Sequence, residues 1–339
     1  MITAAQDQRS QQAATMQAIV QDRYGEAADV LRLEETARPV IGDGEVLIRV
    51  RAAGVDRGVW HLMTGLPYPV RLAGYGIRAP RTRIRGREVA GRVEAVGQGV
   101  TTFQPGDEVF GIAEGAFAEY ALAQPGKLAR RPQKLTAVQA AAVSVSALTA
   151  LQAVRDRGRV QAGQKVLVIG ASGGVGTFAV QIARAYGAHV TGVCSTTKMA
   201  LVRSIGAEDV IDYTRAGIAD GTRCFDVILD IGGNRPLSEL RRALTPRGTL
   251  VIVGGETGGR WLGGFDRGLR APVLSRFVGQ QLGTFICSEN AADLGVLADL
   301  IESGQLTPVI DKTYPLGQAP DAIRYLQDGN ARGKVVITI

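Results

Sequence analysis

The first third of the chain alternates apolar and polar residues in short runs. Val46, Ile48 and Val50 set against Glu45, Arg49 and Arg51 predict a half-buried strand. Met16-Gln17-Ala18-Ile19-Val20 begins an earlier strand-like run, and Glu88 to Val96 reads as a later one. A Pro105-Gly106-Asp107 turn leads into Glu108 to Phe110, and Phe117 to Ala123 follows. These short strands with turn residues between them predict a compact β-rich domain. From about Thr136 the period lengthens, and Ala137 to Val154 reads as an alanine-rich helix. Val166 to Ile169 is continuously apolar, as expected for a parallel strand covered on both faces. Further strands are predicted at His189 to Val193, Val210 to Ile211, Val227 to Asp230, Leu250 to Val253 and Gly283 to Cys287, with helical segments such as Leu237 to Leu244 between them. Six strands suffice for a doubly wound parallel sheet. Ala291 to Ser303 and Pro320 to Gln327 read as helices, and Lys334 to Ile339 as a closing strand that returns to the first domain. The resulting division is 16–138, 139–288 and 289–339. Residues 1–15, polar and Gln-rich, are expected to form a disordered extension, with Met16 a candidate start.

Chemistry concentrates between the first two strands of the parallel set. Gly170-Ala171-Ser172-Gly173-Gly174-Val175-Gly176 follows the apolar run, and Val175, Ala179, Ile182, Ala183 and Tyr186 then recur at helical spacing up to Gly187, a plausible C-cap. Strand, glycine turn, helix and strand in register are the context a dinucleotide fingerprint requires, because a pyrophosphate must lie on bare backbone N–H groups at a helix N-terminus. Ala171, Gly173 and Gly176 occupy the three glycine places of that fingerprint, with Ser172, Gly174 and Val175 between them. An NAD site needs an acid near the end of the second strand to hold the ribose 2′-hydroxyl. No Asp or Glu occurs between Asp156 and Glu208, and the strand ends in Cys194-Ser195-Thr196-Thr197-Lys198. Hydroxyls and an ammonium suit a 2′-phosphate, so NADPH is the expected cofactor. Ser195 and Thr196 would equally serve to cap the next helix.

Composition narrows the setting. No run approaches the roughly 18 apolar residues of a membrane span, and the N-terminus has no apolar core of a signal peptide. Cys194, Cys224 and Cys287 are too scattered for a disulfide scaffold or a thiolate metal site, which fits a reducing cytoplasm. The net charge of +7 invites a nucleic-acid reading, but 33 of the 39 basic residues are arginines spread along the chain, the mark of compositional bias rather than of a binding face.

The β-rich first domain, the glycine unit after it and the tail Asn330-Ala331-Arg332-Gly333-Lys334-Val335-Val336 together resemble the medium-chain dehydrogenase/reductase superfamily. The strings GASGGVGTFAVQIARAYGA, VTGVCSTTK and GAEDVIDY narrow the resemblance to its zinc-independent, quinone oxidoreductase-like branch. The resemblance implies an α/β chain made of a GroES-like β-rich catalytic domain and a Rossmann doubly wound parallel sheet. It implies that Ala171 to Gly176 hold the pyrophosphate, and that Ser195, Lys198 and Tyr213, beside Thr196, meet the 2′-phosphate. Thr149 would sit near the nicotinamide end, and Asn330 and Lys334 on a tail segment that reaches the phosphate. Asp56, Trp60, His61 and Tyr68 would lie on the loop facing the nicotinamide, with Asp56 and Tyr68 the catalytic candidates and Tyr68 the proton donor or carbonyl partner. His61 reads as structural. A homodimer joined through Gln281 to Cys287 is also implied.

Where zinc-dependent relatives carry a cysteine and the histidine of Gly-His-Glu, this chain has Asp56 and Arg87, and the four-cysteine lobe is missing. An arginine cannot ligate zinc and repels it. Without a Lewis acid, conjugate reduction suits the site better than alkoxide chemistry, because the charge spreads as an enolate or hydroquinone anion. The expected acceptor is therefore a quinone, an enone or an enoyl thioester. The alternatives are a zinc-free alcohol dehydrogenase or carbonyl reductase and a cofactor-binding regulatory or RNA-binding protein. Arg71, Arg78, Arg81, Arg83, Arg85 and Arg87 read either as a solvated loop or as a receiver for an anionic substrate tail. Trp261 or Phe265, in the loop Gly258 to Arg270, is placed to cover a pocket.

Overall fold

A computed structural model describes residues 15–339 apart from 220, 222, 234 and 256–258, and leaves the side chains of Leu262 and Phe265 undescribed. The expectation of a disordered extension falls, but for Thr15, outside these residues.

Six parallel strands form one sheet in the order Asp209–Asp212, His189–Cys194, Lys165–Ile169, Phe225–Asp230, Leu244–Ile252 and Gln281–Thr284. The order steps outward in both directions from Lys165–Ile169, so the crevice of a doubly wound sheet opens at the carboxyl end of that strand and of Phe225–Asp230. Val166, Leu167, Val168, Ile228 and Leu229 are almost wholly buried, which is why these strands read as unbroken apolar runs. Helix Gly174–Ala185 packs Phe178, Ala179, Ile182 and Ala183 on the sheet, and Gly187, at φ 79°, ends it with its N–H on the Arg184 carbonyl.

The second sheet has the order Ile310–Pro315, Lys334–Thr338, Val46–Val55, Glu88–Val96, Glu108–Ile112 and Leu128–Arg130, with Tyr120–Ala123 also pairing with Val46–Val55. The tail strand Lys334–Thr338 thus lies antiparallel to Val46–Val55. The chain is a mixed α/β protein, a doubly wound parallel sheet beside a mainly antiparallel one.

Several elements differ from the sequence reading. Arg32–Ala37 forms a small antiparallel sheet with Thr15–Val20, although its residues are mostly exposed and carry no apolar alternation. The segment 137–154 is broken into Ala137–Ala141 and Ser144–Gln152, because the Glu88 carboxylate accepts the Val145 N–H (2.8 Å) and starts a new helix there. Asp56 to His61 is no loop: Arg57–Thr64 is a helix capped by the Asp56 carboxylate on the Val59 N–H (3.1 Å). The last strand of the parallel sheet stops at Thr284; Phe285 to Cys287 lie outside the sheet, and Phe285 lines the crevice.

Candidate cofactor and acceptor cleft

Between the sheets lies a cleft of about 870 Å³ whose walls come from both. On the sheet side it is lined by Gly170, Ser172, Gly173, Gly174 and Val175 of the glycine turn. Gly170 turns the chain at φ 83°, in the left-handed region. Gly173 is the N-cap of Gly174–Ala185, so the first N–H groups of that helix face the cleft without a helical partner. Ala171 and Gly176 are not on the cleft wall. A Cβ on Gly176 would stand 2.0 Å from the Gly170 carbonyl oxygen, so this glycine exists for the packing of helix on strand.

At the next strand end Cys194, Ser195, Lys198 and Tyr213 line the cleft, with Tyr213 55% exposed. Ser195 makes no capping bond, and its hydroxyl is not taken by the turn that follows. Lys198 Nζ donates to the carbonyls of Gly329 and Ala331, both at 3.0 Å, which leaves its third proton for a ligand. Burial, followed by the charge of Arg332, lowers the Lys198 pKa. Thr196 is not on the wall: its hydroxyl donates to Asp212. That acid lies outside the stretch searched in the sequence and is brought alongside by strand pairing with Cys194. Its other oxygen accepts the Thr214 N–H (3.0 Å) and hydroxyl (2.7 Å), and the hydroxyls of Thr196 and Thr214 hold its pKa below the usual carboxylate range. Asp212 is thus spent within the protein and does not line the cleft.

The tail closes the floor. The Gly333 N–H bonds the Ser172 carbonyl (2.8 Å), and Lys334 follows beneath Gly174. Lys334, 1% exposed, donates to the fully buried Glu88 carboxylate and to the Ser146 hydroxyl (3.1 Å), while Glu88 also receives the Val145 N–H. Tail, first sheet and helix Ser144–Gln152 are therefore joined under the turn. Lys334 lines the cleft from this pairing, whereas Asn330 is not on the wall. Thr149 is on the wall, its hydroxyl bonded back to the Val145 carbonyl (2.8 Å).

At the other end the wall includes Asp56, Arg57, His61, Thr284 and Phe285, and the glycines Gly254, Gly255, Gly263, Gly264 and Gly268. Asp56 is 9% exposed, and its Oδ2 is buried without a hydrogen-bond partner. His61 Nδ1 lies 2.7 Å from the Leu66 carbonyl oxygen, and the ring also lines the cleft. The structure does not bring Tyr68 to the wall. Its ring packs edge-on against Trp261 (5.1 Å between centroids) and under the Arg71 guanidinium, with its N–H on the Arg260 carbonyl (2.9 Å). Trp60 likewise packs inward beside His61. Trp261 covers Tyr68 rather than the cleft itself, and the Phe265 side chain lies outside the described residues.

Several arginines of the 71–87 segment are committed within the protein. Arg83 pairs with Asp22 and Glu34, Arg87 with Glu289, and Arg71 stacks on Tyr24 (4.4 Å). Arg85 is buried, and burial pulls its pKa down to about 10. Among the described residues no group of three or more His, Cys, Asp or Glu is arranged to hold a metal ion.

Comparison with known proteins follows this geometry. The profile "Alcohol dehydrogenase GroES-like domain" matches residues 42–133, and "Zinc-binding dehydrogenase" matches residues 205–337. The chain is 33% identical to "NAD(P)H oxidoreductase RTN4IP1, mitochondrial" of Mus musculus, over 97% of this chain and 91% of that one. It is 30% identical to "Chloroplast envelope quinone oxidoreductase homolog" of Arabidopsis thaliana, over 95% and 98%. The solved quinone oxidoreductase of Coxiella burnetii superposes with a TM-score of 0.84 at 26% identity, over 96% of this chain and all of that one.

Proposed function

The chain belongs to the medium-chain dehydrogenase/reductase family, in its quinone oxidoreductase-like branch, and is an oxidoreductase that uses a nicotinamide cofactor; from that premise we propose that it uses NADPH, without a metal, to reduce a quinone or the C=C bond of an α,β-unsaturated carbonyl compound. The observation that carries the cofactor choice is the end of strand His189–Cys194. Ser195, Lys198 and Tyr213 line the cleft there, and the one nearby acid, Asp212, is turned onto Thr196 and Thr214. A 2′-phosphate meets donors and no opposing carboxylate.

The residues present fit the cofactor. Bare glycine N–H groups at the start of Gly174–Ala185 would hold the pyrophosphate, and Lys198 and Ser195 the 2′-phosphate. Thr149 and Asp56 stand at the far end, where the unpaired Oδ2 of Asp56 would accept from a ligand hydroxyl or amide. When bound, NADPH supplies a hydride from nicotinamide C4. The tail closes the cleft floor through Gly333 and Lys334, and Arg57 and His61 line the acceptor end. Positive charge and N–H donors there favour the negative charge that develops on the acceptor oxygen. His61 is the wall group placed to relay a proton from solvent to the reduced acceptor. The metal-free reading rests on the donor set, since Asp56 caps a helix and Arg87 pairs with Glu289 where zinc ligands would be needed.

The test is oxidation of NADPH and NADH, side by side, against a quinone, an enone, an enoyl thioester and a simple ketone. NADPH should be oxidised with the quinone or the alkenes and the ketone should be inert. Preference for NADH would overturn the cofactor assignment, and rapid ketone reduction the acceptor assignment. Lys198→Ala should raise the Michael constant for NADPH by about 10–100-fold, the worth of a charge-assisted contact, and leave that for NADH unchanged.

The protein is proposed to be a homodimer in a reducing compartment, the cytoplasm by its three free thiols. No helix among the described residues is long and apolar enough to cross a membrane. Among the described residues the outermost strand Gln281–Thr284 pairs with a strand on one side only, its Leu282 N–H donating to the Ser275 hydroxyl (3.0 Å), and beside it Leu269, Val273 and Phe277 follow one another at four-residue spacing, 70%, 55% and 80% exposed. Exposed apolar side chains on that scale beside an outermost strand suit a second copy. Light scattering should give twice the 35.8 kDa of one chain, and Val273→Glu with Phe277→Glu should give the monomer.

A further inference from the structure

We infer that Arg267 is a positioning residue, fixing one whole wall of the cleft from behind without lining it. The inference rests on the reading of this cleft as the NADPH and acceptor site. Asp230 ends the strand Phe225–Asp230 and is fully buried, and the Arg267 side chain is 13% exposed. Arg267 Nη1 donates to Asp230 Oδ2 (2.8 Å) and to the Arg235 carbonyl (2.6 Å), and Nη2 donates to the Gly254 carbonyl (3.2 Å). The other oxygen of Asp230 accepts the Gly233 N–H (3.2 Å).

The groups so tied belong to three segments of the wall. Ile231, Gly232 and Arg235 follow one strand, Val253, Gly254 and Gly255 follow the next, and Gly264 caps the helix on which Gly268 follows Arg267. These segments are rich in glycine and have few side chains of their own to hold them. A Cβ on Gly254 would stand 2.2 Å from the Ile231 carbonyl oxygen, so the two strand exits lie backbone against backbone. A guanidinium presents its N–H groups as a rigid planar fork, and here they meet one carboxylate and two carbonyls from different segments. An ammonium satisfies the carboxylate alone with comparable ease. An apolar pair replaces a buried ion pair without loss of stability in many proteins, but it cannot restrain two carbonyls.

That difference separates positioning from mere charge pairing. Arg267→Met leaves Asp230 buried and unpaired and should lower the thermal midpoint. Asp230→Asn combined with Arg267→Met buries no charge and should recover most of that midpoint. Hydrogen–deuterium exchange on the full unliganded chain should nevertheless show the amides of Ile231, Gly232, Gly254 and Gly255 exchanging at least fivefold faster in the double variant. Its dissociation constant for NADPH, from fluorescence titration, should rise at least fivefold, and the Michael constant for the acceptor should rise more than kcat falls. Arg267→Lys should keep the midpoint and show an intermediate exchange rate. If the double variant recovers wild-type exchange together with the midpoint, Arg267 is a charge partner only and the inference is overturned. Should the wild-type chain fail to bind or oxidise NADPH, the proposed function falls, while the exchange rates still decide the role of Arg267.

Discussion

Replacement of Lys334 by methionine is expected to destabilise the protein by about 3–5 kcal/mol, the cost of leaving a buried carboxylate without its partner. Glu88 is fully buried and Lys334 is 1% exposed, so neither reaches water when the other is removed. Burial pushes the Glu88 carboxyl up, and the ammonium of Lys334 and the Val145 N–H pull it back. Without the ammonium the upward push stands nearly alone. The folded variant then binds a proton at Glu88 that the unfolded chain, with its ordinary glutamate, has already lost. Its stability accordingly falls as pH rises from the unfolded value through the raised folded one. Urea denaturation should therefore show a larger deficit against wild type at about pH 8 than at about pH 5. Adding Glu88→Gln should recover part of the loss, since the amide still accepts the Val145 N–H. A deficit below 1 kcal/mol, or one indifferent to pH, would mean that the pair is not isolated from solvent. Because Lys334 follows Gly333 beneath the glycine turn, weaker NADPH binding is expected in the same variant.

That pair also marks where sequence reading stops. Glu88 and Lys334 are 246 residues apart, and nothing local in either segment announces the other. The same holds for Asp212. A search for an acid along strand His189–Cys194 finds none, yet the neighbouring strand delivers one beside Thr196 and removes that threonine from the cleft. Arg267 sits on a helix in a stretch read as a loop, whose sequence offered only Trp261 and Phe265 to argue from, and its partners are a strand-end carboxylate and the carbonyls of two other loops. What was legible was local and periodic. The strand Glu88–Val96 and the unit from Lys165–Ile169 through Gly174–Ala185 to His189–Cys194 follow from apolar spacing and from glycines required by the turn. Arg57–Thr64 was missed although Asp56 is a strong N-cap, because the resemblance put Asp56 to Tyr68 on a loop and only Val59 and Met63 of its apolar residues are buried.

Two glycines of the turn, only three residues apart, are expected to respond differently to the same methyl group. Gly176→Ala should lose both fold and ligand. Its Cβ would stand 2.0 Å from the Gly170 carbonyl oxygen and 2.8 Å from the Ala171 Cα, and both are backbone atoms of the turn itself. Relief requires the helix Gly174–Ala185 to back away from strand Lys165–Ile169, against Phe178, Ala179 and Ile182, which are wholly buried. Overpacking of this kind costs about 1–3 kcal/mol or more, and the displaced helix start should weaken NADPH by about 100-fold or beyond. Gly173→Ala should leave the denaturation midpoint near wild type. Its φ is −86°, an ordinary value for any residue, and its Cβ would meet only the Gly170 oxygen at 3.5 Å. Gly173 does line the cleft, so the added methyl would stand where a pyrophosphate needs bare backbone. NADPH affinity should fall by about 10-fold or more in a protein that is otherwise intact. Wild-type affinity in Gly173→Ala would mean that the pyrophosphate does not rest on this turn, and the orientation of the cofactor in the cleft would have to be redrawn from Lys198 outward.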